Sequence, residues 1–248
     1  MELLEWDART YDALPLPHQR WGSSAIEKLN LSGNETVVDF GCGTGHDAEA
    51  LLDLLPNGRV IAVDGSQQML DQLRTRLAKS LDRVTVLHVD IRERVELLKL
   101  ADAALSVATL HWLPNHESVF RTIAGTLRSG ARLVVECGGA GNIALVRKAL
   151  REVSGADGAE TWNFANVQDT KKHLESAGIT EIEVRLVPDP ARLERGEQLE
   201  AFLATVMLGA QLRDIVPEGR RAFVHGVATR LPEPEIDYVR LQIEAVRA

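Results

Sequence analysis

The chain is poor in aromatic residues, sulfur and positive charge, and it has no long apolar run. Four Trp, two Tyr and five Phe make up 4% of 248 residues, too few for the stacking platforms on which single-stranded nucleic acids lie. Lys and Arg number 28 against 36 Asp and Glu, a formal charge of −8, which argues against a broad phosphate-binding surface. No apolar stretch approaches the ~18 residues that suggest a membrane span. The opening MELLEWDARTYD is acidic and polar, unlike the basic and apolar regions of a secretory signal. Cys42 and Cys137 are the only two cysteines. They form no disulfide framework, and no Cys/His cluster has the spacing of zinc ligands. These shortages predict a cytoplasmic protein with no metal, nucleic-acid or membrane partner, acting as a monomer or homodimer.

What is present is an ordinary globular balance, 45% hydrophobic and 26% charged, in a chain long enough to bury a full core. A short β-branched run, a turn and an amphipathic helical stretch recur along it. The strand candidates are Thr36–Phe40, Arg59–Asp64, Val84–Val89, Ala103–Ala108 and Ala131–Cys137, with the continuous apolar character of strands covered on both faces. Between them, Met69, Leu70, Leu73 and Leu77 fall on one helical face behind Ser66, a helix cap. Pro56-Asn57-Gly58 stops the helix before it, and a helix entered through Leu113-Pro114 runs to about Arg128. Alternating strands and helices predict an α/β fold, a doubly wound and mostly parallel sheet with right-handed crossovers. The expected organisation is one domain over 1–248: a ligand-binding core at 35–140 flanked by additions at 1–34 and 141–248 that form a lid. Within the second addition, helices are expected at Asn142–Val153, Val167–Ala177 and 196–231, and strands at Ile179–Val187 and Ile236–Val246.

Open α/β sheets bind ligands at the carboxyl ends of their strands. The first strand runs into Asp39-Phe40-Gly41-Cys42-Gly43-Thr44-Gly45, where alternate glycines permit a tight turn and close approach of a ligand. The helix that follows aims unpaired N–H groups at the same place. Asp64 ends the second strand, 19 residues after Gly45, where a carboxylate can accept both ribose hydroxyls. It can equally cap the helix that Gly65-Ser66 begins. The third strand ends in Asp90-Ile91, a carboxylate for an exocyclic amine and a backbone N–H for a ring nitrogen; taken singly, Asp90 can equally be a surface acid that caps a turn. Together the three strand ends describe a nucleoside site. The glycines follow G-x-G-x-G, with His46 next, rather than the dinucleotide pattern G-x-G-x-x-G. Asp39 would repel a pyrophosphate and suits a ligand with a cationic group.

These residues resemble a known family. VVDFGCGTG, the acidic end of VIAVD, the pair in LHVDI, and SVATLHWL are similar to class I S-adenosylmethionine-dependent methyltransferases. ECGGAGN, IDYVRL and LPHQRWG resemble a bacterial small-molecule branch grouped with trans-aconitate methyltransferase. The resemblance implies a seven-stranded sheet in the order 3-2-1-4-5-7-6, S-adenosylmethionine as cofactor and a small-molecule substrate. It implies Gly41, Cys42, Gly43 and Gly45 around the methionine moiety and Asp39 toward its amino group. Asp64 and Gly65 fall at the ribose, Met69, Asp90 and Ile91 at the adenine, and Ala108 beside the sulfonium. Tyr11, Arg20 and Trp21 lie where this branch folds an N-terminal helix over the cofactor, and plain packing is the other reading of the aromatic pair. Cys42 and Cys137, one strand apart, would be about 9.5 Å from each other, too far for a disulfide.

Methyl transfer needs a general base only when the acceptor must lose a proton. His111, just beyond Ala108, is the candidate base or substrate contact, with packing as its alternative. The fourth strand lacks the N/D-P-P-Y/F arrangement that grips planar nucleic-acid amines, which leaves a small organic acceptor through oxygen, nitrogen, carbon or carboxylate. Two other readings compete. A nicotinamide-dependent oxidoreductase fits Asp64 but not Asp39 or the glycine spacing. A non-catalytic interaction module would keep the fold without needing three acidic strand ends.

Overall fold

The computed structural model describes Ala8, Asp12 and residues 17–248. Its strands are β1 (Thr36–Phe40), β2 (Arg59–Asp64), β3 (Val84–His88), β4 (Ala101–Val107), β5 (Leu127–Gly138), β6 (Ile179–Pro188), β7 (Ala191–Arg192), β8 (Glu235–Ile236) and β9 (Val239–Arg247). Seven of them form one sheet in the order β3-β2-β1-β4-β5-β9-β6, while β7 and β8 pair separately. Numbering the seven in sequence gives 3-2-1-4-5-7-6, the order the resemblance implied. All neighbours are parallel except β9, which runs antiparallel to both β5 and β6.

Nine helices join these strands among the described residues: α1 (His18–Leu29), α2 (His46–Leu54), α3 (Gln67–Arg76), α4 (His116–Thr126), α5 (Ala144–Ser154), α6 (Val167–Ser176), α7 (Glu197–Phe202), α8 (Gly209–Arg213) and α9 (Pro217–Arg230). Their starts follow from local chemistry. The hydroxyl of Ser66 accepts the N–H of Met69 at 3.3 Å, and Asn115 and Asn166 accept from Ser118 and Asp169 in the same way, each satisfying a donor that the first turn leaves open. Arg74 and Arg76 stand in the last turn of α3, where the helix dipole favours positive charge.

Side chains alternate across the strands, so successive residues enter opposite cores. Val37, Leu105 and Val134 join one, beneath α1, α2, α3 and α9. Val38, Ala104, Leu133 and Val135 join the other, beneath α4 and α6. Helix α1 lies against β4, β5 and α2, so this part of the N-terminal addition packs on the sheet.

Three boundaries differ from the sequence expectation. Helix α4 ends at Thr126, whose hydroxyl folds back on the Ile123 carbonyl, and β5 starts at once. Its first residues bulge: Ala101 faces Leu127 but Ala103 faces Arg132, with Gly130 at φ 76°. The expected strand at Ile236–Val246 is broken, Ile236 pairing with Ala191 before β9 begins at Val239. The expected helical span 196–231 carries a π-helical turn at Leu203–Met207 and restarts at Pro217, a residue suited to a first turn because its missing N–H has no partner there.

Candidate active site

The sheet changes winding direction between β1 and β4, and a cavity of about 410 Å³ opens at their carboxyl ends, the place where open α/β sheets hold ligands. The glycine turn after β1 forms one wall. Gly41, Gly43 and Gly45 have φ of 74°, 52° and 89°, in the left-handed region that favours glycine. Their reasons differ. A Cβ on Gly41 would lie 2.1 Å from the Thr109 hydroxyl, and one on Gly45 would lie 2.8 Å from Leu73 Cγ. No described atom comes within 4 Å of the same position on Gly43. Gly41 and Gly45 thus allow packing, whereas Gly43 leaves a cradle. Gly41 and Gly43 line the cavity and Gly45 does not. Cys42 borders a smaller recess beside it, and burial, then the charges of Asp39 and Asp64, push its thiol upward. The thiol is no nucleophile.

Asp64 lines the cavity while accepting the N–H of Gly43 at 2.9 Å and that of Ser66 at 2.8 Å. This carboxylate therefore braces the helix start and ties the glycine turn to β2. Gly65, Met69, Asp90, Ile91 and Ala108 line the same cavity. Asp90 is not unoccupied: Arg92 donates its backbone N–H at 2.9 Å and its Nε at 2.7 Å, and burial notwithstanding, these contacts hold the Asp90 carboxyl below its usual range. Ala108 has a φ of 55° and donates its N–H to Glu136 at 2.7 Å, so the turn after β4 is held in a conformation L-residues seldom adopt.

Asp39 stands behind the turn, 1% exposed. Its Oδ2 has no hydrogen-bond partner among the described residues. Burial, then the neighbouring Asp47 and Asp64, raise its carboxyl well above the ordinary range. A buried acid without a counter-charge, next to a cradle at Gly43, fits a ligand bringing a cationic group.

Two expectations are corrected. His111 lines the cavity, but its Nδ1 accepts the N–H of Gly138 at 3.3 Å, and burial keeps the ring neutral. The proton then sits on Nε2, which makes the ring a donor rather than a base. Arg20 and Trp21 do not line the cavity. Arg20 is exposed and pairs with Asp189 at 2.7 Å. Trp21 is buried, donates to Asp189, and carries the guanidinium of Arg240 at 3.6 Å over its ring. Tyr11 lies outside the described residues. Cys42 and Cys137 are both buried and unbridged.

The cavity also recruits residues to which the sequence reading assigns no role: His18, Trp112, Asn142 and Arg240, which fall inside the motifs of the resemblance, and Trp162 and Phe164, which fall in none. Arg240 is 2% exposed; its Nε meets Glu136 Oε1 at 3.4 Å. A lone Arg in IDYVRLQIEA was the available signal, since β9 pairs on both edges and an Arg inside it has to be buried. Among the described residues no group of three or more His, Cys, Asp or Glu is placed to hold a metal, and no helix is long and apolar enough to cross a membrane.

Residues 37–130 match the family model described as a methyltransferase domain. Trans-aconitate 2-methyltransferase of Azoarcus sp. (strain BH72) is 28% identical over 131 residues, 53% of this chain and 50% of that one. The chain spans about half the length of such relatives. An uncharacterized methyltransferase of Schizosaccharomyces pombe is 26% identical over 212 residues, covering 79% of this chain and 80% of its own. The fold matches phosphoethanolamine N-methyltransferase 2 of Haemonchus contortus, solved with S-adenosyl-L-methionine, at a TM-score of 0.65 and 18% identity, over 92% of this chain and 52% of that one. On fold, strand order, glycine turn and these matches, the chain carries a methyltransferase domain at residues 37–130 and is similar to the class I S-adenosylmethionine-dependent methyltransferases, the trans-aconitate methyltransferases among them.

Proposed function

We propose that this protein transfers a methyl group from S-adenosylmethionine to a small organic acid. One observation carries the acceptor class: the guanidinium of Arg240 is fixed in the cavity wall, stacked on Trp21, donating from Nε to the Glu136 carboxylate and from Nη2 to the Glu136 carbonyl, with Nη1 and the second Nη2 hydrogen left to donate. A rigid guanidinium matches a carboxylate with paired donors. When bound, the cofactor supplies a methyl on a sulfonium: the S–C bond breaks as the carbon bonds a carboxylate oxygen, leaving a neutral thioether and a neutral ester, with no proton to remove. That suits a site whose histidine is already a donor.

The chain's own residues then bind and orient. Gly41 and Gly43 take the methionine part, and Asp39 meets its ammonium. Asp64 accepts from the ribose, and Met69, Ile91 and Asp90 receive the adenine, with Gly65 beneath and Ala108 bordering the sulfonium. The names of the relatives, trans-aconitate and malonyl-[acyl-carrier protein] O-methyltransferases, point to acids as well.

The test is transfer of labelled methyl to matched acids, amines and phenols, followed by mild alkali. Label released as methanol from acids alone is the expected outcome; an alkali-stable product sinks the acid reading. Arg240→Lys is expected to raise the KM for acid by about tenfold or more with S-adenosylhomocysteine affinity unchanged.

A further inference from the structure

The chain has few aromatic residues, yet it concentrates them around this cavity. Trp112 comes from the turn after β4, Trp162 and Phe164 from the connection between α5 and α6, and all three line the same wall with His111. Phe164 lies 6.0 Å from His111 and 6.1 Å from Trp162, with planes 27° and 10° apart. Trp112 and Trp162 sit 6.4 Å apart. Trp112 and Phe164 are only half-buried. Trp162 is buried in the core and the other two rings pack against that core, yet all three also line the cavity. His111, Phe164 and Trp162 stand near-parallel and Trp112 closes the wall at 52° to Trp162, an apolar concavity that a flat ligand covers well, because ring pairs gain from offset and edge contacts beyond simple burial.

Rings of this kind also attract cations. Here Arg240 stands in the same cavity, and Asp64 and Asp90 belong to its nucleoside end, Asp90 already paired with Arg92. The acceptor end thus combines flat apolar surface with one buried positive charge and the Nε2 donor of His111. Arg213, on the exposed α8, is the other cation there, and Glu160 is exposed beside the wall. Nothing in this arrangement balances several carboxylates at once.

We infer that the acceptor is a monocarboxylic acid with an aromatic or similarly flat apolar body, its carboxylate at Arg240 and its ring against Trp112, Trp162 and Phe164. The inference rests on the acid reading above and narrows it. Trp162 is the specificity-determining residue: it touches two of the other rings and belongs to a connecting loop rather than to a sheet strand.

The experiment is calorimetric titration of the full chain, saturated with S-adenosylhomocysteine, using four probes. These are 3-phenylpropionate, 3-cyclohexylpropionate, 3-phenylpropylamine and propane-1,2,3-tricarboxylate. The expected result is that 3-phenylpropionate binds about tenfold or more tighter than the cyclohexyl acid. Trp162→Ala is expected to erase that preference and Trp162→Phe to keep most of it, both leaving S-adenosylhomocysteine affinity within about twofold. Equal affinity for the two monoacids, or tightest binding of the tricarboxylate, overturns the flat-body inference and leaves the acid reading standing. Binding of the amine without either monoacid overturns both. Failure of all four to bind overturns the inference as well. The probe series on the unaltered chain decides the matter even where the alanine variant does not fold.

Discussion

Gly41 and Gly43 sit two residues apart in one turn, and the structure separates their duties. Gly41→Ala places a Cβ 2.1 Å from Thr109, so the turn or β4's exit has to move. We expect a loss of about 1–3 kcal/mol of stability, read by denaturant unfolding. Gly43→Ala meets open space and adds only the ~1–2 kcal/mol of a left-handed L-residue, but it puts a methyl group in the cradle. Its signature is a loss of S-adenosylhomocysteine affinity of about tenfold or more; unchanged affinity would remove Gly43 from the ligand. Asp39 gives the opposite pairing of effects. Its raised carboxyl makes the ionised form costly in the ligand-free protein. Asp39→Asn is thus expected to raise the melting temperature at pH 7 while weakening cofactor binding. A variant less stable than the parent would contradict the buried-acid account. Both residues were legible in the sequence, because a strand-end acid and a glycine turn are local patterns. Arg240, Trp162 and Phe164 were not: their meaning comes from pairing and loop placement across the chain, which no window of neighbouring residues contains.

At the scale of elements, α1 and α2 meet where Gly22 faces Asp47: a Cβ there would lie 1.9 Å from the Asp47 carboxylate. Burial, then the charge of Glu136, lifts Asp47 to about 7. A carboxyl raised above its unfolded value of 3.8 favours the folded state at low pH. That contribution declines as pH rises from about 4 through 7. Asp47→Asn should match the parent's melting temperature near pH 4, exceed it increasingly toward pH 7, and run parallel above it; a constant gap would mean that Asp47 does not titrate in that window. Legibility at this scale followed periodicity. The alternation of strand and helix through β1–β4 was read to within two residues because each strand is a short, largely apolar run bounded by turn residues. The β5 bulge and the break before β9 were not, since Leu127–Gly130 and Asp237-Tyr238 take their conformation from pairing partners far away in sequence.

For the whole molecule, ligand binding and folding are linked. At a hundredfold excess over its dissociation constant, S-adenosylhomocysteine is expected to add about 2.7 kcal/mol, which for a chain of this size is a rise of about 5–10 °C in melting temperature. NAD at the same concentration is expected to add nothing, and a rise with NAD alone would revive the oxidoreductase reading. The seven-stranded order was anticipated from the resemblance; which strand carries Arg240, the proposed acid-recognising group, was not. That strand is β9, read late in sequence yet seated between β5 and β6. During synthesis, every residue of the nucleoside end is made before β5 and β6, which then wait with edges that β9 has yet to pair, the kind that invite wrong partners. Residues 239–247 end that wait, and Arg240 arrives with them. On the proposed reading, a chain without β9 would lack Arg240, its acid receptor, and the strand that joins β5 to β6 is also the one that completes the acceptor end.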